Sequence, residues 1–81
     1  FEIPTATDVV VLDPPRTGAR EASARIAASR ARRVVYVSCD RATLASDAAI
    51  LGARFRPASA DVFEMFPGTS HVETVLTLDR R

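Results

Sequence analysis

The sequence is poor in several features, and each shortage excludes a class of structure. Its single cysteine, Cys39, cannot form an internal disulfide or build a metal cluster by itself. None of its three glycines belongs to a glycine-rich loop after a predicted strand, the turn that usually cradles a nucleotide. No apolar run approaches the roughly 20 residues that a membrane-spanning helix needs. We therefore expect a cytoplasmic protein without a metal site, a membrane span or a disulfide.

Lysine is also missing, and the charge balance is close to neutral. All eleven basic residues are arginine, and ten acidic residues leave a net charge of +1. This balance provides no strong basic field of the kind that draws a protein to nucleic acid. Arginine favours bidentate contacts with phosphate, yet frequent Ala and Arg are also typical of a GC-rich genome. The charge by itself therefore neither predicts nor excludes an RNA partner.

What the sequence does contain is an alternation of strand-like and helix-like segments. Four apolar runs have the length and β-branched content of strands, at residues 8–13, 34–38, 59–65 and 72–78. Two Ala-rich segments without Gly or Pro, 20–31 and 40–51, predict helices between the first three strands. We expect an α/β fold with a mostly parallel sheet. The last connection is too short for a parallel crossover, so the final strand should be antiparallel.

Polar residues follow the predicted strands at positions that should meet. In open α/β sheets, ligands bind beyond the carboxyl ends of the parallel strands. Asp13 and Cys39 directly follow the first two strands, and Phe66 follows the third. His71 and Glu73 stand at the start of the last strand, which runs the other way and so begins at the same edge. The topology therefore predicts one site that contains all five residues.

Each of these residues also has a purely structural interpretation. A lone Cys after an apolar strand is usually a small buried hydrophobe, although the start of a helix just after Cys39 favours a thiolate. Asp13 before two prolines is also typical of a turn. Glu73 and His71 are equally compatible with solvated surface positions. Spacing alone leaves these alternatives open.

Three segments carry a family resemblance. "VVLDPPRTG", "VVYVSCDRATLASD" and "DVFEMFPGTSHVETV" occur in this order and together cover most of residues 8–78. They resemble the S-adenosylmethionine-dependent RNA uracil-5-methyltransferases, which form 5-methyluridine in ribosomal and transfer RNA. The resemblance implies that residues 1–81 are the C-terminal half of a Rossmann-like class I methyltransferase domain. We expect further strands to precede Phe1, because the apolar run 8–13 would need cover on both sides.

The resemblance also implies roles for individual residues. Cys39 matches the nucleophile of the family, and Glu73 matches its general base. Asp13 matches a carboxylate that lies between the cofactor and the target uracil. Two positions depart from the family pattern, since Asp40-Arg41 stands where Asn-Pro is common and Glu64 stands where Asp is common. Asp40 bears on rate, because it places a carboxylate beside the nucleophile.

These roles imply a covalent methyl transfer. We expect Cys39 to add to carbon 6 of a uridine, in rRNA rather than tRNA, and Glu73 to remove the carbon 5 proton afterwards. Phe66 and His71 are predicted to bind the substrate; Phe66 and Phe63 are both candidates for stacking on the base, although a core position is favoured for Phe63. S-adenosylmethionine is expected to bind mostly to residues outside this chain, so the chain alone should be inactive.

Two alternative functions remain open. The segment Asp13-Pro14-Pro15 is also found in methyltransferases that act on an exocyclic amine, although those enzymes carry an aromatic residue where Arg16 stands here. A half-domain without catalytic activity, serving only to bind RNA, is the other possibility. Covalent methyl transfer requires a reactive thiol at Cys39, whereas neither alternative does.

Overall fold

The computed structural model describes residues 8–15, 17–64 and 72–81. This part of the chain forms β1 (Val9–Leu12), α1 (Arg20–Ala28), β2 (Arg33–Ser38), α2 (Arg41–Leu51), β3 (Phe55–Glu64) and β4 (Val72–Arg80). The predicted order of strands and helices is confirmed. The first helix ends earlier than expected because Ser29 is extended and its hydroxyl donates a 2.6 Å hydrogen bond to the Ile26 carbonyl. Within the described ranges, neither helix is long and apolar enough to cross a membrane.

The four described strands form one mixed sheet in the order β1-β2-β4-β3. β1 and β2 are parallel, whereas β4 is antiparallel to both β2 and β3. The prediction of an α/β fold with an antiparallel final strand is therefore confirmed. The expectation of a mostly parallel sheet is wrong, because only one of the three strand pairs described, β1–β2, is parallel. The reason is that β4 inserts between β2 and β3, which replaces a parallel contact with two antiparallel ones.

Both helices pack on one face of this sheet. The eight hydrophobic residues of the core come from both helices, all four strands and one connection: Leu12, Ile26, Ala31, Val34, Tyr36, Leu51, Phe55 and Leu78. Burial alternates along β2 with the period of two that a strand imposes, because Val34, Tyr36 and Ser38 point toward the helices. A single helical layer therefore covers the face of the sheet that carries these three residues.

The other face of the sheet is open at β1. Val9 and Val11 alternate with the inward-pointing Val10 and Leu12, and they are 51% and 68% exposed. Among the described residues nothing covers this face of β1, so the expectation that further strands precede Phe1 stays a prediction. β1 is one of the two edge strands of the described sheet, and it buries one side only.

Candidate active site

Cys39 and Glu73 lie at the same edge of the sheet, each one residue beyond the last pair of the β2–β4 ladder. Ser38, the last residue of β2, pairs with Thr74 of β4. Cys39 follows Ser38 and Glu73 precedes Thr74, so one further step of this antiparallel ladder would set Cys39 opposite Glu73. Residues opposite each other in such a ladder are about 5 Å apart. The sheet therefore brings together the predicted nucleophile and the predicted base.

The backbone around Cys39 is held while its side chain stays accessible. The Ser38 hydroxyl donates a 2.8 Å hydrogen bond to the Asp40 carbonyl and accepts a 3.1 Å bond from the Asp40 N–H. Both bonds join Ser38 to Asp40, so together they fix the backbone on either side of Cys39. Cys39 itself is exposed, so its interpretation as a buried core residue is wrong.

Asp40 has a structural role at the start of α2. Its side chain is the N-cap of α2, where Oδ1 accepts hydrogen bonds from the Ala42 N–H at 2.9 Å and the Thr43 N–H at 3.2 Å. These two amides would otherwise lack a partner in the first turn. The carboxylate beside the thiol is thus engaged with the start of the helix, and Asn would satisfy the same geometry.

Replacing Asp40 should separate this capping role from its charge. We expect Asp40→Ala to lower the free energy of unfolding by about 1 kcal/mol, because both N-cap hydrogen bonds are lost. Asp40→Asn keeps an acceptor oxygen at the same place and should stay close to the parent. Urea unfolding of the three proteins measures the difference. An equal loss in both variants would show that the cap contributes nothing and that the charge is what stabilises this end of α2.

Asp13 lies at the same edge, on the neighbouring strand. It directly follows Leu12, which pairs with Tyr36 of β2, and its side chain is exposed. Among the described residues, Asp13 makes no hydrogen bond that would explain it as a turn or capping residue. The order β1-β2-β4 therefore places Asp13, Cys39 and Glu73 at the adjacent ends of three neighbouring strands, with Asp13 and Cys39 just after β1 and β2 and Glu73 near the start of β4.

The chain after Asp13 turns sharply and rests on α2. The Gly18 N–H donates a 2.9 Å hydrogen bond to the Pro15 carbonyl, and Gly18 has φ +87°, a conformation that favours glycine. A Cβ atom on Gly18 would lie 3.2 Å from both Asp47 Oδ2 and Thr43 Cβ. Glycine is therefore required here both for the backbone conformation and for the close approach to α2.

The Glu73 carboxylate is poised for a ligand. Glu73 is half-buried, and its Oε2 atom is buried without a hydrogen-bond partner among the described residues. A buried polar atom without a partner is costly, and a bound molecule with a suitable hydrogen would remove that cost. Among the described residues of this edge, Glu73 Oε2 is the atom whose surroundings call for a ligand.

An aromatic side chain that was expected in the core accompanies Glu73. Phe63 pairs directly with Glu73 and is 52% exposed, so its expected core position is wrong. Its accessible ring is a second candidate for stacking on a base. The predicted substrate-binding residues Phe66 and His71 lie outside the described residues.

Sequence reasoning overlooked Asp47, which lies on α2 behind this edge. Asp47 is 3% exposed and its Oδ2 accepts hydrogen bonds from the Tyr36 hydroxyl and the Ala19 N–H. The signal that could have revealed it is its place between Leu44 and Leu51, three and four residues away on the apolar side of the helix. A carboxylate on the buried side of a helix must find donors in the fold.

Comparison with known proteins identifies the family. A sequence profile of the tRNA (uracil-5-)-methyltransferases matches residues 5–81. The chain belongs to this family. A 23S rRNA (uracil(1939)-C(5))-methyltransferase RlmD from Hahella chejuensis is 46% identical over 74 residues, which are 90% of this chain and 17% of that protein. The protein of the same name from Pseudomonas putida is 54% identical over 67 residues, 82% of this chain and 15% of that protein.

A solved structure of the family has a similar fold. The crystal structure of Pyrococcus abyssi tRNA (uracil-54, C5)-methyltransferase in complex with S-adenosyl-L-homocysteine superimposes with a TM-score of 0.79 at 34% identity. The match covers 94% of this chain and 20% of that one. The matched part of the chain thus spans 15 to 20% of the length of these uracil-5-methyltransferases.

Proposed function

We propose that this chain is the C-terminal half of the Rossmann-like catalytic domain of a cytoplasmic RNA uracil-5-methyltransferase. The observation that supports the proposal is the position of Asp13, Cys39 and Glu73 at the ends of three neighbouring strands, on one edge of the sheet. Relatives named as 23S rRNA methyltransferases, at 46% and 54% identity, favour rRNA as the substrate. The S-adenosyl-L-homocysteine complex of the Pyrococcus abyssi protein favours S-adenosylmethionine as the methyl donor.

Cys39 has the chemistry that carbon 5 of uracil requires. This carbon is a poor nucleophile until the ring is activated. Addition of the Cys39 thiolate to carbon 6 forms a C–S bond and moves the electron pair of the 5,6 double bond toward carbon 5 and the ring carbonyl. The exposed side chain of Cys39, held between two bonded neighbours, can present its sulfur to such a base. S-adenosylmethionine, when bound, supplies an electrophilic methyl group for carbon 5.

Glu73 completes the cycle as a base. After methylation, carbon 5 carries both the new methyl group and its original hydrogen. Removal of this proton by the Glu73 carboxylate returns the electron pair to the ring, restores the double bond and expels the Cys39 thiolate. The unpartnered Oε2 atom supports this role, because it is an acceptor with no competing donor in the described part of the chain.

Asp13 and the aromatic residues would orient the reactants. The exposed Asp13 carboxylate can accept hydrogen bonds from the imide N–H of uracil or from the amino group of the cofactor. No described glycine-rich loop accompanies it, so we propose that most of the cofactor contacts lie outside this chain. Phe63, Phe66 and His71 are proposed to receive the target base, which must leave its stack to be reached.

The proposal predicts a specific methylated product. We expect the full-length enzyme that carries this segment to transfer label from methyl-labelled S-adenosylmethionine to unmodified rRNA, because all three reactive groups would be present. Nuclease digestion and nucleoside chromatography should place the label in 5-methyluridine. The 81-residue chain alone is the matched control and should transfer none, since it lacks most of the cofactor site.

Each other result supports a different function. Label in an amino-methylated nucleoside would identify a methyltransferase that acts through Asp13-Pro14-Pro15 on an exocyclic amine. Binding of rRNA without any transfer by the full-length protein would identify an RNA-binding module. Either result contradicts uracil-5-methylation by this chain.

A further inference from the structure

One buried carboxylate has no part in the proposed chemistry. Asp47 lies in the second half of α2 and is almost fully enclosed, at 3% exposure. Its Oδ2 atom accepts a 2.7 Å hydrogen bond from the Ala19 N–H and a second bond from the Tyr36 hydroxyl. Burying a carboxylate is costly unless donors compensate it. The fold therefore commits two donors from distant parts of the chain to one oxygen atom.

These two donors belong to two of the segments next to predicted site residues. Tyr36 lies in β2, three residues before Cys39. Ala19 ends the connection between β1 and α1, which begins with Asp13; we call its described residues, 13–15 and 17–19, the Asp13 loop. Asp47 thus accepts one hydrogen bond from the end of the Asp13 loop and the other from β2, the strand that Cys39 follows.

The same helix also holds the backbone next to Cys39. The N-terminus of α2 is capped by Asp40, which directly follows the thiol. The Asp13 loop approaches α2 so closely that an added methyl group on Gly18 would lie 3.2 Å from Asp47 Oδ2. The backbone of the loop at Gly18 is therefore in close contact with α2. The Asp13 loop and β2 are therefore both held against α2, and Asp47 forms a hydrogen bond with each of them.

Tyr36 is well suited to donate in this arrangement. Burial, the hydrogen bond to Asp47 and the charge of Asp47 raise the pKa of Tyr36 well above its usual range. The phenol therefore keeps its proton at every physiological pH and remains a donor. Its ring is fully buried between sheet and helices, which fixes the position of its hydroxyl.

We propose that Asp47 is a positioning residue that sets the Asp13 loop relative to Cys39 during methyl transfer. This inference rests on the proposed function for its effect on rate, whereas the anchoring itself does not. Misplacing a catalytic group by about 1 Å can cost as much as 10²-fold in rate. A carboxylate that ties both segments to one helix would prevent such a displacement without touching the substrate.

The test uses Asp47→Asn in the full-length enzyme, alone and combined with Asp13→Ala. The amide oxygen is a neutral and weaker acceptor than the carboxylate, so the Asp13 loop should loosen while the fold is kept. We expect kcat to fall about 10-fold in the single variant. In the Asp13→Ala background the same change should cost less than about 2-fold, because the group being positioned is already absent. Ser46→Ala, an exposed neighbour on α2, is the control.

A second measurement is independent of activity. Hydrogen exchange of the Ala19 amide should be about 10-fold faster in Asp47→Asn than in the parent or in Ser46→Ala, since its hydrogen-bond acceptor is weakened. Unchanged exchange would overturn the anchor. An equal loss of kcat with and without Asp13 would overturn the positioning role and leave Asp47 merely structural. Faster exchange in a protein that transfers no methyl group would overturn the proposed function instead, and the anchor would stand.

Discussion

Cys39→Ala is expected to abolish covalent capture of RNA that contains 5-fluorouracil. Fluorine at carbon 5 cannot leave as a proton does, so the adduct between Cys39 and carbon 6 should persist in the parent enzyme with S-adenosylmethionine. Without the thiol no C–S bond can form, and methyl transfer to ordinary uracil should fall by at least about 10⁴-fold. A denaturing gel that resolves protein from the protein–RNA adduct measures the first effect, and labelled methyl transfer measures the second.

Cys39→Ser is the matched control for this loss. It preserves the size of the side chain but supplies a hydroxyl that does not ionise at neutral pH, so it should be as inactive as Cys39→Ala. Because Cys39 is exposed, neither change should alter the free energy of unfolding by more than about 0.5 kcal/mol. An adduct that survives in either variant would exclude Cys39 as the nucleophile and favour the amine-directed alternative.

Glu73→Gln should stop the reaction one step later. Addition of Cys39 and methylation of carbon 5 do not need the base, but release of the product does. The methylated RNA should therefore remain attached to the protein, and steady-state turnover should fall about 10²- to 10⁴-fold. A single-turnover experiment with labelled S-adenosylmethionine measures the result as label in a denaturant-stable protein–RNA complex, close to one methyl group per enzyme molecule.

The sheet offers a matched control for this carboxylate. Asp61 lies on β3 two residues from Phe63, the residue that pairs with Glu73, and it is exposed on the same face. Asp61→Asn removes an equal charge from the same surface and should leave turnover within about 2-fold of the parent. Normal product release by Glu73→Gln would assign the proton removal to another group. A matching loss in Asp61→Asn would indicate a general effect of surface charge.

The sequence alone predicts that three proposed site residues lie at one edge of the sheet. Asp13, Cys39 and Glu73 were assigned to the same edge from the order of strands and from the reversed direction of the last one. That inference needs only strand direction, because the carboxyl end of one strand and the amino end of an antiparallel one always share an edge. It survives an error of several residues in any strand boundary, and β3 does begin at Phe55 rather than at 59.

The neighbours of these residues were not predictable in the same way. Phe63 was expected in the core, yet it is half exposed beside Glu73, because the register of β3 against β4 decides which of its side chains face the helices. Asp47 was overlooked because its two donors, Tyr36 and Ala19, are 11 and 28 residues away in sequence. A local sequence pattern does not predict contacts between residues so far apart in the chain.

The sequence by itself determined the elements, their order and the edge at which Asp13, Cys39 and Glu73 appear, because hydrophobic period and chain reversal are local properties. Only the tertiary structure decided that β4 lies between β2 and β3. Had β4 been added outside β3, Glu73 would stand two strand spacings from Cys39, about 10 Å away, instead of one spacing of about 5 Å. Strand order depends on which distant segments pack and pair best, and that competition is resolved only in the folded chain.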